Sequence, residues 1–129
     1  MTKLFLAIAG ILGGFAVIIG AFASHALKEQ LSEKYLAIFE TGVRYQMYHA
    51  LLLLFVGSAS QINIKTKKTV LYFTLFGIIL FSGSIYGLAT NELSSFDFKR
   101  IGFITPIGGF LLILSWTLLL LNFIKLKQD

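Results

Sequence analysis

The sequence predicts an all-α membrane protein, a single bundle of four transmembrane helices with short loops that occupies residues 1–129. Four apolar runs without Asp, Glu, Lys or Arg carry this prediction, at residues 4–23, 45–60, 70–88 and 101–124. A helix of about 20 apolar residues crosses a bilayer, and three of the runs are long enough. The composition agrees, because 57% of the residues are hydrophobic and only 13% are charged, too few to cover a soluble domain of this size.

The first helix is predicted at about residues 3–25. We interpret it as a retained span and not as a cleaved signal peptide, because it is long for a signal core and three further apolar runs follow it. Small residues recur along it, among them Gly10, Gly14 and Gly20, and such a stripe lets another helix approach closely. We expect it to pack inside the bundle, with a dimer seam as the alternative.

The second helix is predicted at about residues 33–60, with Ser32 as its N-cap. At 1.5 Å per residue it would measure about 42 Å, more than the roughly 30 Å of a hydrocarbon core. We therefore expect its first turns to project from the membrane, to tilt or to lie in the interface, and Gly42 is a candidate hinge. The third helix is predicted at about residues 69–89.

The fourth helix is predicted at about residues 106–125. Thr105 is a suitable N-cap, and Pro106, the only proline, suits the first helical position because proline lacks the N–H that would be unpaired there. The alternative is a helix that starts near Lys99 and kinks at Pro106. Trp116 lies in the middle of this helix, and we interpret it as a packing residue.

The charges indicate topology. The net charge is +5, but the basic residues are spread over termini and loops, which argues against a nucleic-acid partner. Three lysines cluster in the short connection at residues 65–68, and basic residues flank both termini. Since basic loops stay in the cytoplasm, we expect both termini there, in a multi-pass plasma-membrane protein. The chain has no cysteine, which excludes disulfides and thiolate chemistry.

A polar cluster is predicted towards the extracytoplasmic side, where ionisable groups at membrane depth usually pair or mark a pathway. Glu40 and Arg44 are four residues apart on one helix face, so we expect them to be in contact. The cluster is either a functional pocket or a set of ordinary interface and packing residues. Its candidate ligand-binding members are His25, Glu40, Arg44, Tyr45, Gln46, Tyr48, His49, Ser82, Ser84, Tyr86 and Thr105.

The two histidines are predicted to share one layered site. His25 would lie nearest to water, Tyr45 and Tyr48 would follow, and His49 would lie deepest, with serines of the third helix as hydrogen-bond partners. No HxxxH or HExxH spacing occurs, so we predict no metal site and no cofactor. A Ser82–His49–Glu40 hydrolase arrangement lacks any nucleophile motif, and catalytic residues stay unknown.

Four segments in order carry a resemblance to a known family. They read GAFASHAL at residues 20–27, YQMYHAL at 45–51, FSGSIY at 81–86 and ITPIGG at 104–109. The chain resembles the small bacterial membrane proteins grouped as domain of unknown function 423, although that family usually has Gly-Ala-His where this chain has Ala23-Ser24-His25. The resemblance implies four transmembrane helices in the bacterial plasma membrane and brings no established activity. Among its motif positions are His25, Gln46, His49, Ser82, Tyr86, Pro106 and Gly108.

Three functions remain open at this stage. The first is binding or transport of a small polar solute, a proton or a lipid through the polar pocket, with a homo-oligomer for transport. The second is an accessory protein that packs against a partner in a membrane complex. The third is a membrane enzyme that acts on a lipid or quinone with His49 as acid or base. Binding and catalysis need an open cavity at the cluster, whereas the accessory role leaves it closed and internally paired.

Overall fold

The computed structural model describes residues 2–126, so the first residue and the last three residues of the predicted domain lie outside the description. Within this range the chain forms four α-helices and no strand: α1 (Thr2–His25), α2 (Glu33–Ser58), α3 (Ile64–Ala89) and α4 (Ile104–Ile124). Each helix packs against the next one along the chain. The connections are short, which makes consecutive helices antiparallel neighbours.

Three of these helices, α1, α3 and α4, are long and apolar enough to cross a membrane. At most 39% of any of these three spans is buried inside the molecule. Large apolar side chains cover the remaining surface, for example Ile18, Ile79 and Ile113, which are each more than 60% exposed. Such a surface suits lipid and not water, and it confirms the predicted all-α membrane fold. The remaining helix, α2, has 26 residues and packs between α1 and α3.

The interior has two apolar ends and a polar middle. One apolar cluster joins Phe5 of α1, Leu53 and Val56 of α2 and Val70 of α3. The other, at the opposite end of the helices, is built around Ala23, Leu27, Phe39 and Ala89. Between these clusters lie the buried polar residues Gln46, His49, Thr74, Ser82 and Ser115.

The start of α3 differs from the prediction. The helix begins at Ile64, five residues before the predicted start, because Asn63 caps it: its Oδ1 accepts from the Thr66 N–H at 2.9 Å. The lysines at residues 65–68 are therefore helical, although their charge suggested a loop. Lys67 Nζ also donates to the Gly57 carbonyl at 3.3 Å. Gly57 is near the end of α2, which lies at Ser58 and not at residue 60 as predicted.

The start of α4 also differs. A 3₁₀ helix at Phe98–Ile101 precedes it, and α4 then begins at Ile104, so neither the predicted start at Pro106 nor a helix from Lys99 is found. Thr105 is the second residue of α4 and does not cap it; its hydroxyl hydrogen-bonds with Ser84 on α3. Pro106 still lies in the first turn, where its missing N–H leaves no intrahelical bond unmade.

The glycines of α1 and α2 show which faces pack. A side chain at Gly20 would lie 3.3 Å from Val43, so this part of the α1 stripe packs inside the bundle as expected. Gly10 and Gly14 have no atom within 4 Å of where a side chain would start, so internal packing does not explain them. Gly42 lies within the uninterrupted α2 and faces Tyr86 of α3; it is a packing position and not a break between two helices.

Candidate functional site

The structure divides the predicted cluster into a closed interhelical network, a groove at the surface and residues that belong to neither. Gln46 stands at the centre of the network and is 5% exposed. Its Nε2 donates to the Leu12 carbonyl of α1 at 2.9 Å, and its Oε1 accepts from the Tyr86 hydroxyl of α3 at 2.7 Å. One amide on α2 therefore joins three helices.

Two serines of α3 complete the interhelical contacts. The Ser82 hydroxyl donates to the Gly42 carbonyl of α2 at 2.7 Å, and Ser84 pairs with Thr105 of α4. Across residues 2–126, every buried side-chain nitrogen or oxygen has a hydrogen-bond partner. The buried polar atoms of this range are therefore all hydrogen-bonded within the protein, although Gln46, Ser82 and Tyr86 also line an almost wholly apolar surface cleft of about 340 Å³.

His49 is buried, and one of its two hydrogen-bond partners, Trp116, is a residue that the sequence did not suggest. Its Nδ1 lies 2.7 Å from the Tyr45 carbonyl oxygen, and its Nε2 lies 3.2 Å from the indole Nε1 of Trp116 on α4. A carbonyl only accepts and an indole N–H only donates, so these two bonds require a neutral imidazole with its hydrogen on Nδ1. The lone pair of His49 is thus occupied by Trp116.

The role of Trp116 could have been suspected from its position. An indole is usually found near a membrane interface, whereas Trp116 lies 12 residues into the 21-residue helix α4. It packs against His49, with ring centroids 6.2 Å apart, as the sequence analysis interpreted it, but it is 53% exposed. A hydrogen-bond donor for His49 and an exposed aromatic surface are combined in one side chain.

An open groove runs between α2 and α4 on both sides of Trp116. The larger part has a volume of about 450 Å³ and is almost wholly apolar, and the smaller part, of about 290 Å³, reaches His49. The larger part is lined by Tyr48, Leu51, Leu52, Phe55, Trp116, Leu119, Leu120 and Phe123. The smaller part is lined by Tyr45, His49, Phe81, Gly109, Leu112, Ile113 and Trp116. We call these two parts together the α2–α4 groove.

The charged members of the predicted cluster lie outside the network. The expected contact between Glu40 and Arg44 is not formed, because Arg44 Nη2 donates to the Thr41 hydroxyl at 3.1 Å. Thr41 is one turn towards the amino end of α2 and places the guanidinium on that side. Glu40 is half-buried and Arg44 is exposed.

The structure does not bring the two histidines together. His25 is the exposed last residue of α1. His49 lies 16 residues beyond the first residue of α2, about 24 Å along the helix axis. Both of its ring nitrogens bond to other residues, so the predicted serine partners of His49 are corrected. The order of depth, with His25 exposed and His49 buried, stays a prediction. Tyr45 and Tyr48 do lie beside His49 on α2. The ring centroids of Tyr45 and Tyr48 are 5.6 Å apart, and those of Tyr45 and His49 are 6.4 Å apart.

A second polar site lies at the opposite end of the bundle and was missed by the sequence reasoning. Asn122 of α4 accepts from Asn63 at 3.0 Å and donates to the Gln61 carbonyl at 3.2 Å, which ties the α2–α3 connection to α4. The available signal was an amide in the last apolar run. Among residues 2–126, no three His, Cys, Asp or Glu side chains lie close enough to hold a metal ion.

The fold and its lipid-facing surface define an integral membrane protein of four helices. The family model described as "Protein of unknown function (DUF423)" matches residues 19–109. The chain belongs to this family, as the resemblance predicted. A UPF0382 membrane protein of Staphylococcus saprophyticus is 40% identical over 124 residues, 96% of this chain and 99% of the relative.

Relatives in other bacteria are similar over nearly their full lengths. A UPF0382 membrane protein of Haemophilus influenzae is 38% identical over 128 residues, which cover 99% of both chains. A UPF0382 inner membrane protein of Escherichia coli is 34% identical over 131 aligned positions, 99% of this chain and 95% of the relative. No solved structure matches the chain.

Proposed function

We propose that this protein binds a membrane lipid in the α2–α4 groove, from the side, within the bilayer. The observation that carries the proposal is the groove itself, whose larger part is an apolar cleft of about 450 Å³ that is open at the molecular surface between two helices. Its volume lies within the range of roughly 300–1,000 Å³ that small-molecule sites occupy. A hydrocarbon chain is the ligand that matches such a lining.

Polar groups in the groove are few and lie towards one end. Tyr45 and Tyr48 are 39% and 50% exposed and carry hydroxyls, and the Trp116 indole lies between the two parts of the groove. Sites for small molecules commonly combine an apolar lining with a few polar groups that orient the ligand. The groove therefore suits a molecule with a long apolar part and one polar end.

The interior offers less support for the transport of a polar solute. A solute pathway needs polar atoms that are free to exchange partners, and those of Gln46, Ser82 and Tyr86 are each hydrogen-bonded to a neighbouring helix. Catalysis by His49 would require the lone pair that accepts from Trp116. The internal pairing of these polar groups instead favours the accessory function as the second candidate. In that function a helix of a partner protein occupies the groove.

Filling the groove tests the proposal. The protein is purified in mild detergent, reconstituted with a phospholipid that carries a photoactivatable group in its acyl chain, and irradiated. We expect cross-links to residues of the groove, such as Leu51 and Phe55, and retention of lipid in native mass spectra. Leu120→Trp should abolish both signals, because the added ring occupies the space of the acyl chain.

Ile18→Trp is the matched control. Ile18 is 63% exposed on α1 and lies outside the groove, so this substitution adds the same ring to lipid-facing surface and should leave the cross-links unchanged. Equal lipid retention in both variants, or cross-links spread evenly over the surface, would contradict lipid binding. Recovery of a membrane protein cross-linked at Leu51 from native membranes, lost in Leu120→Trp, would favour the accessory function.

A further inference from the structure

Arg44 lies one turn of α2 before Tyr48, the first α2 residue in the larger part of the α2–α4 groove. It shares a face of α2 with Tyr48, Leu51 and Phe55, because steps of three and four residues return to the same side of a helix. Those three residues line the larger part of the groove. Arg44 is not itself a lining residue, but it lies on the same helix face one turn closer to the amino end of α2.

The hydrogen bonding of Arg44 also leaves its guanidinium available to a ligand. A guanidinium has five N–H donors, and the partner found here is the neutral hydroxyl of Thr41. Because Thr41 neither neutralises the charge nor uses more than one donor, the guanidinium is able to bind an anion with two parallel hydrogen bonds.

The depth of Arg44 places its charge near lipid headgroups. Arg44 lies 14 residues before Ser58, the last residue of α2, which corresponds to about 21 Å of helix. In a hydrocarbon core of roughly 30 Å, a charge at this depth extends towards the nearer interface. The bond to Thr41 shows this extension, since Thr41 is one turn closer to the amino end of α2.

We infer that the lipid of the groove has an anionic, phosphate-bearing headgroup, bound by the Arg44 guanidinium while an acyl chain lies along Tyr48, Leu51 and Phe55. This inference rests on the proposed lipid binding and adds the chemical class of the headgroup. Arginine suits phosphate because its planar fork matches two oxygens of the anion. The exposed hydroxyls of Tyr45 and Tyr48 are the neutral donors nearest along the helix.

Lipid competition tests the headgroup class. The protein is placed in mixed micelles that contain phosphatidylglycerol and phosphatidylcholine with identical acyl chains, and the retained lipids are counted by native mass spectrometry. We expect wild-type protein to retain phosphatidylglycerol about tenfold more than phosphatidylcholine, the ratio expected from one charge-assisted contact. Arg44→Gln should retain both lipids equally, and Arg44→Lys should keep part of the preference because it keeps the charge.

Arg100→Gln is the control, since it removes the only other arginine from an exposed position outside the groove and should leave the preference unchanged. Equal retention of the two lipids by wild type, or an unchanged preference in Arg44→Gln, would overturn the inference while lipid binding stands. An equal loss of preference in Arg100→Gln would assign the effect to net charge and overturn it too. Binding of inorganic phosphate by the wild type as tight as that of phosphatidylglycerol, and equally lost in Arg44→Gln, would identify a site for the free anion and not for the lipid.

Discussion

Gln46 shows how a single polar residue organises the bundle. Its amide accepts from Tyr86 and donates to the Leu12 carbonyl, so α1 and α3 are both tied to α2 at the same depth. Water is not available as a hydrogen-bond partner for an amide in a lipid-embedded interior, so the amide needs these two protein partners. The residue thereby selects one rotation of α2 about its axis relative to both neighbours.

Tyr86→Phe should destabilise the protein. The change removes the donor to Gln46 Oε1 and leaves a buried acceptor without a partner. We expect a loss of about 1–2 kcal/mol, the upper range for interhelical hydrogen bonds in membranes, measured as a lower midpoint of unfolding in mixed detergent and SDS micelles. Tyr72→Phe, at a tyrosine of the same helix that is 58% exposed, is the control. Equal midpoints for the two variants would contradict the role of the Gln46 network.

His49 and Trp116 show why a motif residue needs its surroundings before a role is assigned to it. Both ring nitrogens of His49 are used, one by its own helix and one by α4. The imidazole thus acts as a joint between α2 and α4 at the wall of the groove. Its connection with the proposed lipid is that it lines the smaller part of the groove.

At the scale of elements, α3 and α4 form the closest pair of helices. A side chain at Gly108 would lie 2.7 Å from the backbone carbon of Leu80, and one at Gly77 would lie 3.2 Å from the Gly108 carbonyl oxygen. Thr74 donates to Ser115 at 3.0 Å one turn further along this interface. Small residues and short hydroxyls therefore hold the two backbones together, as is usual between helices in lipid.

Gly108→Ala should weaken this pair of helices. The new methyl group would meet backbone atoms of α3, which cannot turn aside as a side chain can. We expect a loss of about 1–3 kcal/mol, typical of overpacking, seen as a lower thermal midpoint in detergent. Gly109→Ala is the neighbouring control: its methyl group would lie 3.4 Å from the movable ring of Phe81. A Gly108→Ala midpoint equal to that of Gly109→Ala would show that the α3–α4 contact is looser than described.

At the scale of the whole molecule, the bundle is covered with apolar side chains on almost every side, and its polar groups are concentrated inside and at the ends. Antiparallel helices place the α1–α2 and α3–α4 connections at one end and the α2–α3 connection at the other. The three lysines at the start of α3 mark the latter end. Their clustering predicts that this end faces the cytoplasm.

Single cysteines test that orientation cleanly, because the chain has none of its own. Ser95→Cys, in the α3–α4 connection, should react with an impermeant maleimide in intact cells. Ser60→Cys, in the α2–α3 connection, should react only after permeabilisation. Both serines are exposed, so access to the reagent is decided by the side of the membrane. Labelling of Ser60→Cys from outside would reverse the topology.

The sequence by itself determined the class of fold. Apolar runs long enough to span a bilayer must become helices, because in lipid each backbone N–H and C=O needs a partner within its own segment. It also located the ends of α1 and the Ser32 cap of α2, which accepts from the Tyr35 N–H. It failed at the start of α3, where the lysines suggested a loop but Asn63 caps the helix before them. It also failed at the start of α4, where the proline suggested a first residue but the helix begins at Ile104 and Thr105 bonds with Ser84.

Only the tertiary structure decided which polar residues meet. Gln46, Tyr86, Ser82 and Ser84 were all candidates, but the pairing of His49 with Trp116, 67 residues away, depends on how α2 and α4 are rotated about their axes. The same rotation sets the groove between them. Helix periodicity defines which residues share a face, but the face that meets a neighbour is set by the combined packing of all the helices.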